Sequence, residues 1–371
     1  MAYSEVKIPR FYINDLTFAD AIGELSGDTD FAHGNPSSLY QSGAIPAEDS
    51  KTFSINRHNV PHGTNIDDAR PNYFALLGHD LADNNRNVKM KYMYKNNTAG
   101  DALTGLVNGN LSSNINWSDG DYPNDWLSPN YNGFSICSID EDSSSGNYNE
   151  LDLVFWNNNQ GDAERTVRIG TIFTGRYYDM KNAPNLSLTM SREYGEIKEF
   201  TTYNGSSYSN SMATGSPKWY NLGAWELEDP SNPSGHINQN LSRSGRRLWK
   251  LKFSYMDDGD LWGSNQSIGN LHDPSESFWH PGGATGGTEE GYDSSDLTDS
   301  GMLFNLLTDY NFFYQVWHKT LGGTLPFIFQ PDNSNFNQDQ FAIAKIKDKS
   351  LKATQTAFNV YDISMTIEEV W

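Results

Sequence analysis

The feature that most constrains this chain is a change of hydrophobic period near its end. Apolar side chains recur at Leu303, Leu306, Leu307, Tyr310, Phe313, Tyr314, Trp317 and Leu321, the spacing of one buried helical face. Ser300 is placed to cap this helix, His318 and Lys319 fall in its last turn, and Gly322-Gly323 supplies a left-handed stop. The period then drops to two. Leu325, Phe327 and Phe329 alternate with Pro326, Ile328 and Gln330, and Ile363, Met365 and Ile367 alternate with Ser364, Thr366 and Glu368 before Trp371. Upstream, Trp249, Leu251, Phe253 and Tyr255 alternate with Lys250, Lys252 and Ser254, which marks a half-buried strand. A helix over 302–321 is therefore expected to lie on strands that come before and after it.

That order resembles the minor tail and distal tail (baseplate) proteins of long-tailed bacteriophages. Their cores run from a W-x-L-x-F strand through a helix to G-G-x-x-x-F and a last strand closing on E-x-W. The matching residues are Trp249, Leu251 and Phe253, then Gly322, Gly323 and Phe327, then Glu369 and Trp371. The resemblance covers about half of the chain, and the order of its short motifs carries it. It implies a virion structural protein with a tail-tube-like β-sandwich carrying a single packed α-helix over 181–371.

Length and composition set the wider frame. A chain of 371 residues exceeds what one core usually supports, so two β-sandwich domains are expected in a mainly β protein. Hydrophobic content is 36%, but 13% aromatics and 32 glycines fit a loop-rich β protein held together by rings. The formal charge of −21, from 47 acidic against 26 basic residues, opposes a sequence-independent grip on nucleic acid. One cysteine, Cys137, excludes an internal disulfide. No apolar run reaches membrane-span length and no signal-peptide pattern opens the chain, so folding in a cytoplasm, without membrane insertion, is expected. That holds for an ordinary cytosolic protein as for the virion protein that the resemblance implies, which would assemble in its host bacterium's cytoplasm.

Residues 1–54 read as an extended arm with loops. Pro9 and the β-formers around it make 6–18 an entry segment expected to dock on a neighbour. His58 and His62 are four apart, but Pro61 between them excludes a helical metal pair. Residues 55–180 form the first expected sandwich. Phe74 to Leu77, the alternation of Val88, Met90, Tyr92 and Tyr94, Leu151 to Trp156, and Val167 to Phe173 supply its strands. The turn Leu77-Gly78-His79-Asp80-Leu81 and the run Arg168-Ile169-Gly170, with Phe173 and Gly175, resemble the galactose-binding-like jelly rolls of phage structural proteins. His79 there is expected to hold the turn rather than to catalyse, since no nucleophile or acid stands at a characteristic spacing.

Two long polar inserts carry the exposed aromatics. Trp117, Trp126 and Tyr131 lie in the insert 96–145, and Trp262 and Trp279 lie in 257–296. Arg243, Arg246 and Arg247 form the densest basic spot. These eight residues are the candidates for contact with sister subunits or with glycan, because rings cover apolar sugar faces and arginines pair with a neighbour's acids. The acidic run 140–142 lacks the calcium-loop pattern, so neither a metal nor any other cofactor is expected. No G-x-S-x-G, H-E-x-x-H, phosphate-binding glycine loop or C-x-x-C is present, and the chain is not expected to be an enzyme. Glycoside hydrolysis alone stays open, because its paired carboxylates have no short local signature. The expected role is a virion component of a bacteriophage tail tip or baseplate, assembled as a ring of copies with other virion proteins. A receptor- or carbohydrate-binding tail module and a capsid decoration protein are the alternatives.

Overall fold

A computed structural model describes residues 6–57, 71–82, 88–95, 102–104, 115–116, 128–129, 131–138, 150–157, 163–193, 199–209, 225–228, 245–262 and 311–370. The described chain is mainly β, paired antiparallel into several sheets.

The strand Tyr73–His79 shows how the sheets are layered. It lies between Gly133–Ser138 and Thr171–Gly175 in a three-stranded sheet, and all seven of its residues are buried. A strand covered on both faces reads as a continuous apolar run rather than an alternation, as Y-F-A-L-L does here. Phe74 and Leu76 point into one core with Cys137 and Ile172. Tyr73, Ala75 and Leu77 point into another with Phe134, Ile136 and Phe173.

The far side of the first core is a five-stranded sheet ordered Leu25–Gly27, Ser50–Arg57, Glu150–Asn157, Val88–Lys95, Ala102–Thr104. It contributes Phe53, Ile55, Leu151, Leu153, Phe155, Val88 and Met90. The far side of the second core is an eight-stranded sheet, which presents Tyr12, Ile328 and Ile343 there. Its order is Tyr177–Asp179, Arg10–Tyr12, Phe327–Gln330, Ala342–Ile346, Val360–Glu369, Arg246–Asp257, Thr189–Glu193, with Ala353–Ala357 also paired to Val360–Glu369. On its opposite face Phe11, Phe327 and Phe329 join Trp249, Leu251, Phe253, Ile363, Met365 and Ile367 in a third core. Burying one such large side chain contributes roughly 1.5–3 kcal/mol, so these ring-rich layers account for much of the cohesion.

Several expectations change at this point. Within the 6–18 segment, expected to dock on a neighbour, Arg10–Tyr12 sits inside its own chain's sheet, paired on one side to Tyr177–Asp179 and on the other to Phe327–Gln330. Arg10 donates two hydrogen bonds to the Asp179 carboxylate, at 2.6 and 2.7 Å, and its guanidinium stacks 3.9 Å from the Tyr177 ring centroid. The segment is not extended to its end either, because Asp15–Ala21 is an α-helix. Asn14 caps it by accepting from the Leu16 N–H, a start signal readable in Asn14-Asp15. Strands from either side of the expected 180/181 boundary share one sheet, so that boundary does not separate two independent layers.

The helix expected over 302–321 is described only from residue 311. There Phe313–His318 is a π-helix rather than an α-helix. A π-helix adds about one residue to each turn, which rotates the buried stripe. The segment ends where Leu321 N–H donates to His318 C=O and Gly322 N–H to Trp317 C=O, the paired bonds of a left-handed helix stop. Phe312 and Val316, off the expected stripe, are fully buried, whereas Leu321, on it, is exposed. Phe312 is covered by Phe11 and Tyr178 of the same chain. Gly322 and Gly323 take the positive φ values, 69° and 82°, that the glycine stop requires. Lys319 does not sit in solvent at the helix end. It is 2% exposed and pairs at 3.1 Å with Asp15, joining the π-helix to the helix at 15–21.

Candidate functional site

The buried polar groups at the end of the central strand hold the turn that follows it. His79 is enclosed at the end of the central strand, beside the irregularity that Gly78 creates opposite Gly133 and Phe134. Its Nδ1 accepts from the Leu81 N–H at 3.4 Å, so Nε2 carries the proton and donates to Ser135 Oγ at 2.8 Å. That tautomer cannot take a proton from the serine. Burial drives the imidazole pKa down to about 3, which keeps the ring neutral, and its two nitrogens tie the turn at Leu81 to the neighbouring strand at Ser135. Asp80 acts alongside it, accepting from the Arg168 N–H at 3.0 Å, while the Asn132 side chain accepts from Ala82. Cys137 is buried, and burial pushes its thiol pKa far up, so it packs as a small apolar group.

The eight candidate contact residues have different fates. Trp117, Trp126, Trp279 and Arg243 lie outside the described residues, as do His58, His62 and the acidic run 140–142. Tyr131 is half-buried just before Gly133–Ser138. Trp262 is half-buried after the short helix Asp258–Leu261, its ring 5.5 Å from that of Phe313 and packed on the third core. Arg246 is half-buried where Arg246–Asp257 begins. Arg247 is turned inward. It donates to both Glu369 carboxylate oxygens, at 3.0 and 2.8 Å, and to the carbonyls of Asp339 and Phe341, so its guanidinium is not offered to a neighbour's acids. The arginine cluster therefore contributes a clamp between the first and last long strands of the C-terminal half.

Among the described residues, no three His, Cys, Asp or Glu side chains stand together to hold a metal ion, and no helix is long and apolar enough to cross a membrane.

What the described surface does present is a set of exposed rings that the sequence reading passed over. Phe200, Tyr203 and Tyr208 lie on the hairpin of Glu199–Thr201 and Ser207–Ser209, and Tyr255 and Phe358 lie at the far end of Arg246–Asp257. Tyr255 occupies a bulge in which Phe253 and Met256 are the flanking paired residues, at φ 61°. The amides of Asn182 and Asn185 hold this bulge, donating to the Tyr255 carbonyl and the Ser254 hydroxyl. Such left-handed backbone in a bulky residue persists only where neighbours over-determine it. Comparison of the chain with family models, with curated proteins and with solved structures returns no match. The described surface is accordingly characterised by its own chemistry: exposed aromatic rings on a scaffold packed with buried ones.

Proposed function

We propose that the chain is a virion structural protein of a bacteriophage tail tip or baseplate, assembling as a ring with its own copies and with other virion proteins. In this reading the jelly-roll sandwich is the one around the first core and faces outward, and the tail-tube-like sandwich is the one built on the eight-stranded sheet and forms the assembly core. The single observation that carries it is convergence of the motif residues. Trp249, Leu251 and Phe253 pair directly with Ile367, Met365 and Ile363 of the closing strand, and Glu369 of that strand clamps Arg247. Phe327 enters the same core, and Gly323 is placed where an added Cβ would meet Ile346 Cβ at 2.6 Å. The described motif residues thus pack together, which supports the resemblance, while Trp371 lies outside the described residues. The burial of Phe312 within the chain removes one reason to need a covering neighbour, so the ring rests on the resemblance and on the exposed surface rings alone.

A non-enzymatic role accords with the tautomer and enclosure of His79. A second reading, as a receptor- or carbohydrate-binding tail module, is favoured by the exposed rings of the hairpin at 199–209. Immunogold labelling of purified phage particles with antibody against the chain is expected to mark the tail tip. Label on heads would make the chain a decoration protein, and intact particles without label, together with their mass spectra lacking its peptides, would end the virion reading. Incubation with host polysaccharide is expected to release no reducing ends.

A further inference from the structure

We infer that the hairpin formed by Glu199–Thr201 and Ser207–Ser209 is a binding platform for an uncharged polysaccharide. Its sequence, E-F-T-T-Y-N-G-S-S-Y-S, concentrates tyrosine, serine, glycine and asparagine, the residue set that recognition loops use because rings give contact area at small entropic cost and short polar groups give adaptable hydrogen bonds. Phe200 stands directly opposite Tyr208, so both rings lie on one face. They are 62% and 64% exposed, and Tyr203 at the tip is fully exposed. Thr201 and Ser207, also opposite each other, line the other face with hydroxyls.

The turn satisfies itself. Thr202 N–H and Oγ1 both donate to the Ser206 carbonyl, Ser206 N–H donates to Thr202 Oγ1, and Gly205, at φ 80°, closes the reversal. Among the described residues, the side chains of Phe200, Tyr203, Asn204, Ser207 and Tyr208 make no hydrogen bond or ring contact with the rest of the chain. The platform is therefore held in shape without using the groups that would meet a ligand, which lowers the cost of binding.

Charge and area select the occupant. The hairpin has one ionisable group in its strands and turn apart from the two phenols, Glu199 at its base, so it offers an anionic ligand no cation to pair with. A chain with a formal charge of −21 also repels polyanions, and a second copy brings the same surplus. Three rings of about 150–250 Å² each fall short of the roughly 800 Å² per partner of a standard protein interface. They are enough to cover the apolar faces of a few sugar units, while the serine hydroxyls and the Asn204 amide meet sugar hydroxyls. The inference goes beyond the virion reading: it holds for a binding module wherever the chain resides, and its test does not depend on particle labelling.

The experiment is retention of the full chain on immobilised dextran, mannan and galactan, with polygalacturonate as the anionic control. The chain is expected to be retained on at least one neutral polymer, equally in low salt and at about 0.5 M NaCl. Tyr203→Ala with Tyr208→Ala should weaken that retention at least about tenfold with unchanged thermal unfolding, and Tyr208→Trp should keep it. Three results would overturn the inference: no retention on any neutral polymer, retention that survives the double substitution, or retention confined to polygalacturonate and lost in salt. Hairpin-dependent self-association in sedimentation, without polymer binding, would overturn it in favour of a second copy.

Discussion

Arg10–Tyr12 and Thr189–Glu193 belong to the same eight-stranded sheet, are both short, and both mix charge with apolar side chains. The first is paired on both edges, with Phe11 and Tyr12 fully buried in cores on opposite faces. Among the described residues the second is paired on one edge only, and all five of its residues are exposed. Position in the sheet, not composition, decides which strand binds the molecule together. The outer strand keeps Arg192 and Glu193 on an edge, where charge discourages uncontrolled pairing with another chain, and it leads to the hairpin with the exposed rings.

The largest test of that contrast is Phe11→Ala. It empties a site between Phe312, Phe327 and Phe329, and is expected to cost about 3–5 kcal/mol in denaturant unfolding. A loss near zero would mean that the arm is not integral to the fold.

Acid should loosen the buried layers next. With the folded-state pKa of His79 near 3 and the ordinary value near 6.5, the unfolded chain gains a proton that the folded chain refuses. The neutral imidazole's contribution is complete above about pH 6.5 and declines as pH falls towards 3, by up to roughly 4 kcal/mol. His79→Gln keeps a side-chain amide donor for Ser135 and should flatten that part of the stability profile relative to the parent chain. Parallel profiles would remove His79 as the cause.

Glu369→Ala leaves the inward-facing Arg247 without its carboxylate and is expected to cost about 2–3 kcal/mol, read as a lower denaturant midpoint with an unchanged slope. At the small end, Met190→Ala on the exposed strand should change stability by no more than about 0.5 kcal/mol. A larger loss there would show that the edge strand is covered in solution and would narrow the contrast.

Part of the hairpin at 199–209 was legible. Asn204-Gly205 between two runs carrying Phe200 and Tyr208 is a hairpin signal, yet the stretch reads as a polar excursion when only its hydrophilicity is weighed. Tyr255 could not be placed from sequence: strict alternation puts it with Trp249, Leu251 and Phe253 on the buried face, and the bulge before Met256 turns it out to 79% exposure.

By itself the sequence determined what depends on neighbours along the chain. The alternation of Trp249, Leu251 and Phe253 against Lys250 and Lys252 specifies a strand with one wet face, and Gly322-Gly323 specifies where a helical segment must stop, because only glycine takes two successive left-handed conformations without strain. Tertiary structure alone decided the rest. Arg10 meets Asp179 across 169 residues, and Tyr12 meets Gln330 across 318. No local period encodes such partners, since each strand offers the same unpaired N–H and C=O groups to any edge. The choice among edges is made when the rings on both faces of Arg10–Tyr12 find cores to fill, a gain that exists only once the layers on either side are in place.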